Sequence, residues 1–137
     1  MLTLDGDQLR AARVGEPMTL AIAATDDGIP KRTSLPRLSA TGEAPFPTLN
    51  IAYGLRVAWF VYRGEGTVTF DPPQIKTYVD PRGNSPWAPG WGPPPIPPDG
   101  KWVVHATFSQ PGTYVLRSQA HDGGLATEKD VTVVVTK

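Results

Sequence analysis

Apolar and polar residues alternate along several short segments of the chain. From Thr113 onward, Tyr114, Leu116, Ser118 and Ala120 fall on one face, and Val115, Arg117 and Gln119 fall on the other. A period of two is typical of a β-strand with one packed and one solvated face. The same alternation predicts further strands at residues 18–25, 55–62, 67–70, 101–108 and 130–136.

Turn residues separate these segments. Pro111-Gly112 precedes the strand that begins at Thr113, and His121-Asp-Gly-Gly124 joins it to the last one as a hairpin. Residues 2–6 indicate an irregular first strand, and a short helix over Asp7–Arg13 is the alternative for the segment that follows, since it holds good helix formers. Six or seven strands of this kind predict an antiparallel β-sandwich.

Two segments lack the alternation. Residues 31–50 hold three prolines and many small polar residues, and predict a long loop. Residues 81–98 contain eight prolines, three glycines and two tryptophans, so this stretch of the 81–99 loop favours polyproline II or irregular backbone over a sheet ladder. Fully extended, it would span roughly 50 Å at about 3 Å per residue.

The composition narrows the function classes. The 137 residues predict a single domain, with a formal net charge of zero and no basic stripe for nucleic acid. Without cysteine, neither a disulfide nor a thiolate metal site is expected. The apolar runs are too short for membrane insertion, and the first residues lack the order of a signal peptide. The 16 prolines and 14 glycines, with a weak helix signal, favour an all-β fold.

An ordered set of short segments resembles the bacterial Ig-like modules of the PKD (polycystic kidney disease repeat) and cadherin-like group. The set includes Ala-Ala-Thr-Asp-Asp-Gly-Ile-Pro at 23–30, Gly-Glu-Gly-Thr-Val-Thr-Phe at 64–70 and Thr-Phe-Ser-Gln-Pro-Gly-Thr-Tyr-Val-Leu-Arg at 107–117. The remaining members are 57–59, 120–124 and 131–135. The resemblance covers residues 17–79 and 101–136, and leaves out the two long loops as insertions.

The resemblance implies an Ig-like (PKD-like) sandwich of about seven strands from a secreted or surface-exposed bacterial protein. Such modules are usually not catalytic and serve as spacers, adhesive units or accessory domains, with neighbouring domains or identical copies as partners. Trp59 then occupies the position of the large aromatic on the third strand, and Tyr114 matches the tyrosine-corner position. The predicted core is Leu20, Ile22, Val57, Trp59, Phe108, Tyr114, Leu116 and Val133.

Three acidic residues lie in loops that an Ig-like sandwich places at one end. By resemblance to PKD-like modules, Asp26, Asp27 and Asp122 are candidate Ca²⁺ ligands, since this ion takes six to eight oxygen ligands. The alternative is that these Asp-Gly sequences only form the turns, through Asx hydrogen bonds and the freedom of glycine to adopt φ > 0.

Two tryptophans, Trp87 and Trp91, lie on the proline-rich loop. They form either an aromatic platform for a polysaccharide, which would make the chain a carbohydrate-binding module, or a cover for a sheet face or edge strand. The histidines give no catalytic pattern, because no Gly-x-Ser-x-Gly or His-x-x-x-His sequence accompanies His105 or His121. The scattered arginines are expected on solvated faces. We therefore expect a protein that is not an enzyme.

Overall fold

The computed structural model describes residues 1–29, 31–32, 54–74 and 94–137. These residues form eight strands, and none of them is helical. The strands are β1 (Leu2–Leu4), β2 (Leu9–Arg13), β3 (Met18–Ala24), β4 (Arg56–Arg63), β5 (Val68–Asp71), β6 (Lys101–Phe108), β7 (Gly112–His121) and β8 (Ala126–Thr136). A search of the described residues for a helix long and apolar enough to cross a membrane finds none.

The strands make two sheets of four. One sheet has the order β1-β3-β6-β5 and the other β2-β8-β7-β4. All neighbours are antiparallel except β2 and β8, which run parallel. With β1 and β2 taken as the two halves of a split first strand, this is the strand order of an immunoglobulin constant-type sandwich. The predicted all-β Ig-like sandwich is confirmed, and the split accounts for the eighth strand.

The helix alternative over Asp7–Arg13 is wrong. Residues 9–13 form β2, which pairs with β8 from Leu9 opposite Thr132 to Arg13 opposite Thr136. Good helix formers give only a weak local preference, and the open edge of β8 supplies a ladder of hydrogen bonds that outweighs it.

The core lies between the sheets. Along β6 the burial alternates strictly, with Trp102, Val104, Ala106 and Phe108 buried. Every side chain of the predicted core is buried: Leu20, Ile22, Val57, Trp59, Phe108, Tyr114, Leu116 and Val133. The rings of Phe108 and Tyr114 are tilted by 57° with centroids 4.9 Å apart, a favourable edge-to-face type of contact. The Tyr114 hydroxyl donates to the carbonyl of Gln110 at 2.8 Å, which is the tyrosine-corner hydrogen bond.

The outward face of β4 and β7 differs from the expectation. Gln119, predicted on a solvated face, is 3% exposed, and Ala58 opposite it is equally buried. Arg56 on the same face is 6% exposed, so the prediction that the arginines lie on solvated faces is wrong for this residue. Both faces of the sheet are therefore covered near the start of β4, which an alternating sequence pattern does not reveal.

The last strand is longer than predicted. It begins at Ala126 rather than Asp130, because the polar residues 127–130 pair across to β7. The Arg117 guanidinium binds Asp130 at 2.7 Å and Glu128 at 3.0 Å. Polar cross-strand pairs thus extend the ladder where the apolar pattern has ended.

The first and last strands place Met1 and Thr136 at opposite ends of the sandwich. The amide of Thr25, which follows β3, donates to the carbonyl of Met1 at 2.9 Å, beside the turn between β7 and β8. Thr136 lies at the far end, opposite Arg13 and next to the residue that pairs with Gly112.

Candidate functional site

The acidic residues of two separate loops meet at the Met1 end. Asp26 and Asp27 follow β3, and Asp122 follows β7. One carboxylate oxygen of each lies within 4.8 Å of the others. Asp26 and Asp27 are exposed, whereas Asp122 is buried. The tertiary structure thus brings the three predicted residues together, although Asp26 and Asp122 are 96 positions apart in the chain.

Two of these carboxylates also hold their own turns. The Oδ1 atom of Asp122 accepts hydrogen bonds from the amides of Gly124 at 2.6 Å and Leu125 at 2.7 Å. The Oδ1 atom of Asp27 accepts one from the amide of Ile29 at 3.0 Å. The Asx-turn role is therefore present. Because each turn uses Oδ1, the Oδ2 atoms are left for another ligand.

Electrostatics keep Asp122 ionised. The amides of Leu125 and Gly124 lower the pKa of its carboxyl group below the usual value, and burial opposes this only in part. The neighbouring carboxylates are exposed and solvated. The arrangement is a concentration of negative charge built from hard oxygen ligands.

The acids line an open cleft of about 380 Å³. Its apolar walls come from Met1, Leu55 and Leu125, and its polar walls from the three aspartates, Thr25, His121 and Thr127. Leu125 is 74% exposed at the rim. The cleft is thus shallow and mixed in character, and it is suited to a small ion or to the surface of a neighbouring domain better than to a large apolar ligand.

His121 belongs to the same turn. Its Nδ1 atom accepts a hydrogen bond from the amide of Gly123 at 2.8 Å. Burial lowers the pKa of His121, the positive charge of Arg56 lowers it further, and Asp122 opposes this. The ring therefore stays neutral near pH 7 and acts as a turn acceptor. His105 is exposed, with Nδ1 3.2 Å from the hydroxyl of Thr19.

No sequence pattern marks Arg32, which lies near this end beside Leu55. The Arg32 guanidinium donates from Nη1 to the carbonyl of Leu55 at 3.4 Å, and from Nη2 to the carbonyl of Pro94 at 2.8 Å. It ties the start of β4 to the segment that precedes β6. An isolated arginine in a loop has no pattern that distinguishes such a clamp from a solvated side chain.

The remaining predicted ligand-binding residues, Trp87 and Trp91, lie outside the described residues. The carbohydrate-binding alternative that depends on them stays a prediction. Iodide quenching of tryptophan fluorescence, with and without Trp87→Phe and Trp91→Phe, would measure whether these indoles are accessible and whether polysaccharide changes their emission.

Comparison with known proteins finds no matching family model and no matching curated protein. Among solved structures, the chain is similar to domains 4 and 5 of the S-layer protein SbsC, with 12% identity and a TM-score of 0.48 over 100% of this chain and 51% of that one. It is similar to the D0-D1 domain of intimin, with 13% identity and a TM-score of 0.45 over 100% of this chain and 48% of that one. It is also similar to a conjugative transposon lipoprotein from Bacteroides eggerthii, with 11% identity and a TM-score of 0.46 over 96% and 93% of the two chains.

The chain spans about half of the SbsC and intimin structures it matches. The fold class rests on the strand order of this chain itself, which is that of an Ig-like β-sandwich.

Proposed function

We propose that this chain is a non-catalytic structural or adhesive Ig-like module of a secreted or surface-exposed bacterial protein. There it serves as a spacer, an accessory domain or an assembly domain, with neighbouring domains or identical copies as partners. The observation that carries the proposal is the placement of Met1 and Thr136 at opposite ends of the sandwich. The secreted or cell-envelope location rests on the sequence resemblance given above.

The mechanism is geometric. Strand β8 runs for 11 residues between the two ends, which corresponds to about 35 Å at roughly 3.3 Å per residue. The buried side chains between the sheets, with Trp59 and Tyr114 each 1% exposed, resist bending of this unit. Domains attached at residues 1 and 137 would be held apart at a fixed distance.

The fixed distance can be measured directly, because the chain has no cysteine and introduced cysteines are labelled selectively. Spin labels at Leu125→Cys and Lys137→Cys should give one narrow distance distribution centred at about 40 Å. A second pair, Gly124→Cys and Lys137→Cys with the native Leu125, should give a distance that differs by no more than the length of one residue. A broad distribution would show that the module cannot act as a spacer.

The location is tested on intact cells with a membrane-impermeant, amine-reactive biotin. Lys101 and Lys129 are exposed and lie in different sheets, so both should be labelled before the cells are lysed. A cytosolic protein in the same cells serves as the control and should stay unlabelled. Labelling of the chain only after lysis would reject the surface location.

We further propose that Asp26, Asp27 and Asp122 bind Ca²⁺. The convergence of their carboxylates within 4.8 Å supports this, because the residues present supply three of the six to eight oxygens that the ion takes. Bound there, the ion would join the loop after β3 to the turn between β7 and β8 and so stiffen this end of the module.

The calcium proposal is tested by titration calorimetry and by thermal unfolding with and without CaCl₂. The wild type should bind the ion and melt at a higher temperature, and Asp26→Asn/Asp27→Asn should do neither. Glu65→Gln is the matched control, since Glu65 is exposed in a different turn, between β4 and β5. No heat and no gain in melting temperature for the wild type would end the proposal.

A further inference from the structure

The two sheets have four edge strands, β1, β5, β2 and β4. An edge strand presents unpaired N–H and C=O groups that another strand can join, and proteins usually block such edges. Three of the four carry an identifiable block. β1 has only three residues, and β5 has four and is followed by Pro72 and Pro73, which offer no N–H.

The edge of β4 is blocked by side chains. The amide of Trp59 donates to Oε1 of Gln74 at 3.1 Å, and the carbonyl of Leu55 accepts from Arg32. Gln74 is held in turn by a hydrogen bond from its Nε2 atom to the carbonyl of Pro72 at 2.8 Å. A strand approaching β4 would have to displace these contacts.

Among the described residues, no side chain blocks the middle of the β2 edge, at Leu9 and Ala11. Its ladder to β8 begins with the amide of Thr132 donating to the carbonyl of Gln8 and ends with the amide of Val14 donating to the carbonyl of Thr136. Along a strand, the backbone N–H and C=O groups of successive residues point to opposite sides. The backbone groups of the even-numbered residues of β2 therefore point toward β8. The N–H and C=O groups of Leu9 and Ala11 therefore face away from the sheet, as does the N–H of Arg13, whereas the carbonyl of Arg13 accepts from the amide of Glu16 at 3.2 Å.

The side chains of these residues are exposed as well. Leu9 is 66% exposed, and Ala11 and Arg13 are also exposed on the outer face of the sheet. Asp7, which precedes β2, is exposed as well. Arg10 and Ala12, in contrast, point inward and are partly buried. The edge thus combines open backbone groups, an exposed leucine and two opposite charges spaced six residues apart.

We propose that β2 pairs with β2 of a second copy of this chain, antiparallel and across a two-fold axis at Arg10. In this register Leu9 lies opposite Ala11 of the second copy, and both outward-facing residues exchange N–H···O bonds. Asp7 lies opposite Arg13 of the second copy, and the two-fold axis makes this ion pair twice. The two Leu9 side chains become diagonal neighbours and cover each other.

The charges select this register. A shift of the axis to Ala11 would place Arg13 opposite Leu9 and leave Asp7 without an opposite charge. Both registers pair the odd-numbered residues, but only the axis at Arg10 pairs Asp7 with Arg13. The two Arg10 side chains that it brings opposite each other point inward, and their guanidinium groups donate to carbonyls of their own chains. The result is one continuous eight-stranded sheet formed from two four-stranded ones.

The contact is short, because β2 has five residues. An interface of this size lies below the range of stable dimers, so we expect a dissociation constant of roughly 0.1–1 mM. Such a contact would act mainly between modules that are already concentrated by a surface or an array. The inference names a partner for the assembly role proposed above, although the pairing itself depends only on the edge geometry.

The experiment is sedimentation velocity of the full chain over concentrations that bracket the expected constant. The wild type should shift from monomer to dimer. Ala11→Pro removes an outward N–H and should abolish the dimer while leaving the melting temperature close to that of the wild type. Ala12→Pro is the matched control for which N–H groups of β2 point outward. It removes an N–H that faces β8 and should therefore destabilise the monomer.

Charge reversal tests the register independently of any proline effect. Asp7→Lys and Arg13→Glu should each weaken the dimer by about tenfold, because each replaces both ion pairs by like charges. The double variant Asp7→Lys/Arg13→Glu should restore the wild-type constant. Dimerisation that persists in Ala11→Pro, or a double variant no tighter than either single one, would overturn the proposed pairing.

A wild-type chain that stays monomeric throughout would also overturn it. That result would leave the spacer role standing, since this role is tested by the label distance and by surface labelling. A chain that fails the surface labelling but dimerises through β2 would keep the pairing and reject the location. The two failures are therefore distinguishable.

Discussion

A Cβ atom on residue 66 would lie 2.1 Å from the hydroxyl oxygen of Tyr114. The same hydroxyl donates to the carbonyl of Gln110, four residues upstream in the turn before β7. Gly66, in the turn between β4 and β5, is thus required by the tyrosine corner, since no other residue leaves space for the hydroxyl. One phenol positions two turns at the Thr136 end of the sandwich.

Gly66→Ala should therefore destabilise the protein by about 1–3 kcal/mol, the usual cost of overpacking a well-filled site. Tyr114→Phe should cost about 1 kcal/mol for the lost hydrogen bond. In the Tyr114→Phe background, Gly66→Ala should cost less than in the wild type, because the clashing oxygen is gone. Urea unfolding of the four proteins gives the cycle, and additive losses would contradict the assignment of the clash.

Arg10 holds the crossover between β1 and β2. Its Nε atom donates to the carbonyl of Asp7 at 2.9 Å, its Nη1 atom to that of Thr19 at 3.1 Å, and its Nη2 atom to that of Asp5. Arg10→Lys keeps the charge but cannot reach three carbonyls in this fork, so we expect a loss of about 1–3 kcal/mol. Arg13→Lys, an exposed neighbour, is the control and should be nearly neutral in unfolding at low protein concentration. Equal effects would refute the role of the fork.

Leu116 is fully buried between the sheets, whereas Val134 on the neighbouring strand is 43% exposed. Leu116→Ala should cost about 2–5 kcal/mol, since it leaves a cavity in a packed core. Val134→Ala removes methyl groups from a solvated position and should cost well under half as much. Guanidinium unfolding measures both, and similar values would show that the burial of the two faces is wrongly assigned.

The ion pair between Arg117 and Asp130 makes stability depend on pH. The hydrogen bond from Arg117 lowers the pKa of Asp130 below its usual 3.8, against partial desolvation. The unfolded chain therefore binds this proton first as the pH falls. The pair stabilises the fold above the unfolded pKa, and its contribution is lost between that value and the lower folded pKa.

Asp130→Asn should accordingly lower stability at pH 7 and flatten the loss of stability on acidification below about pH 4. Melting temperatures measured from pH 7 to pH 2.5 for both proteins give the difference curve. A wild-type curve parallel to that of Asp130→Asn would exclude a contribution of this carboxylate to the acid limb.

Several features follow from the sequence alone. The alternation in residues 101–108 predicts both ends of β6 correctly, because a strand with one buried and one solvated face must repeat with period two. The spacing of Tyr114 from Leu116 and the turn before it were enough to predict the tyrosine corner. The placement of Asp26, Asp27 and Asp122 in turns at one end also follows, once the sandwich is given.

Other features were decided by the tertiary structure. Residues 9–13 have a local preference for helix, and they form a strand because β8 offers an unpaired edge. Ala58 and Gln119 are buried on a face that the alternating pattern predicts to be exposed to solvent. Arg10 reaches its three carbonyl acceptors only because the chain crosses from one sheet to the other between β1 and β2. A local pattern records which side of its own backbone a residue occupies. What covers that side, and which edge remains open, depends on segments distant in the chain, and these are fixed only when the sheets pack.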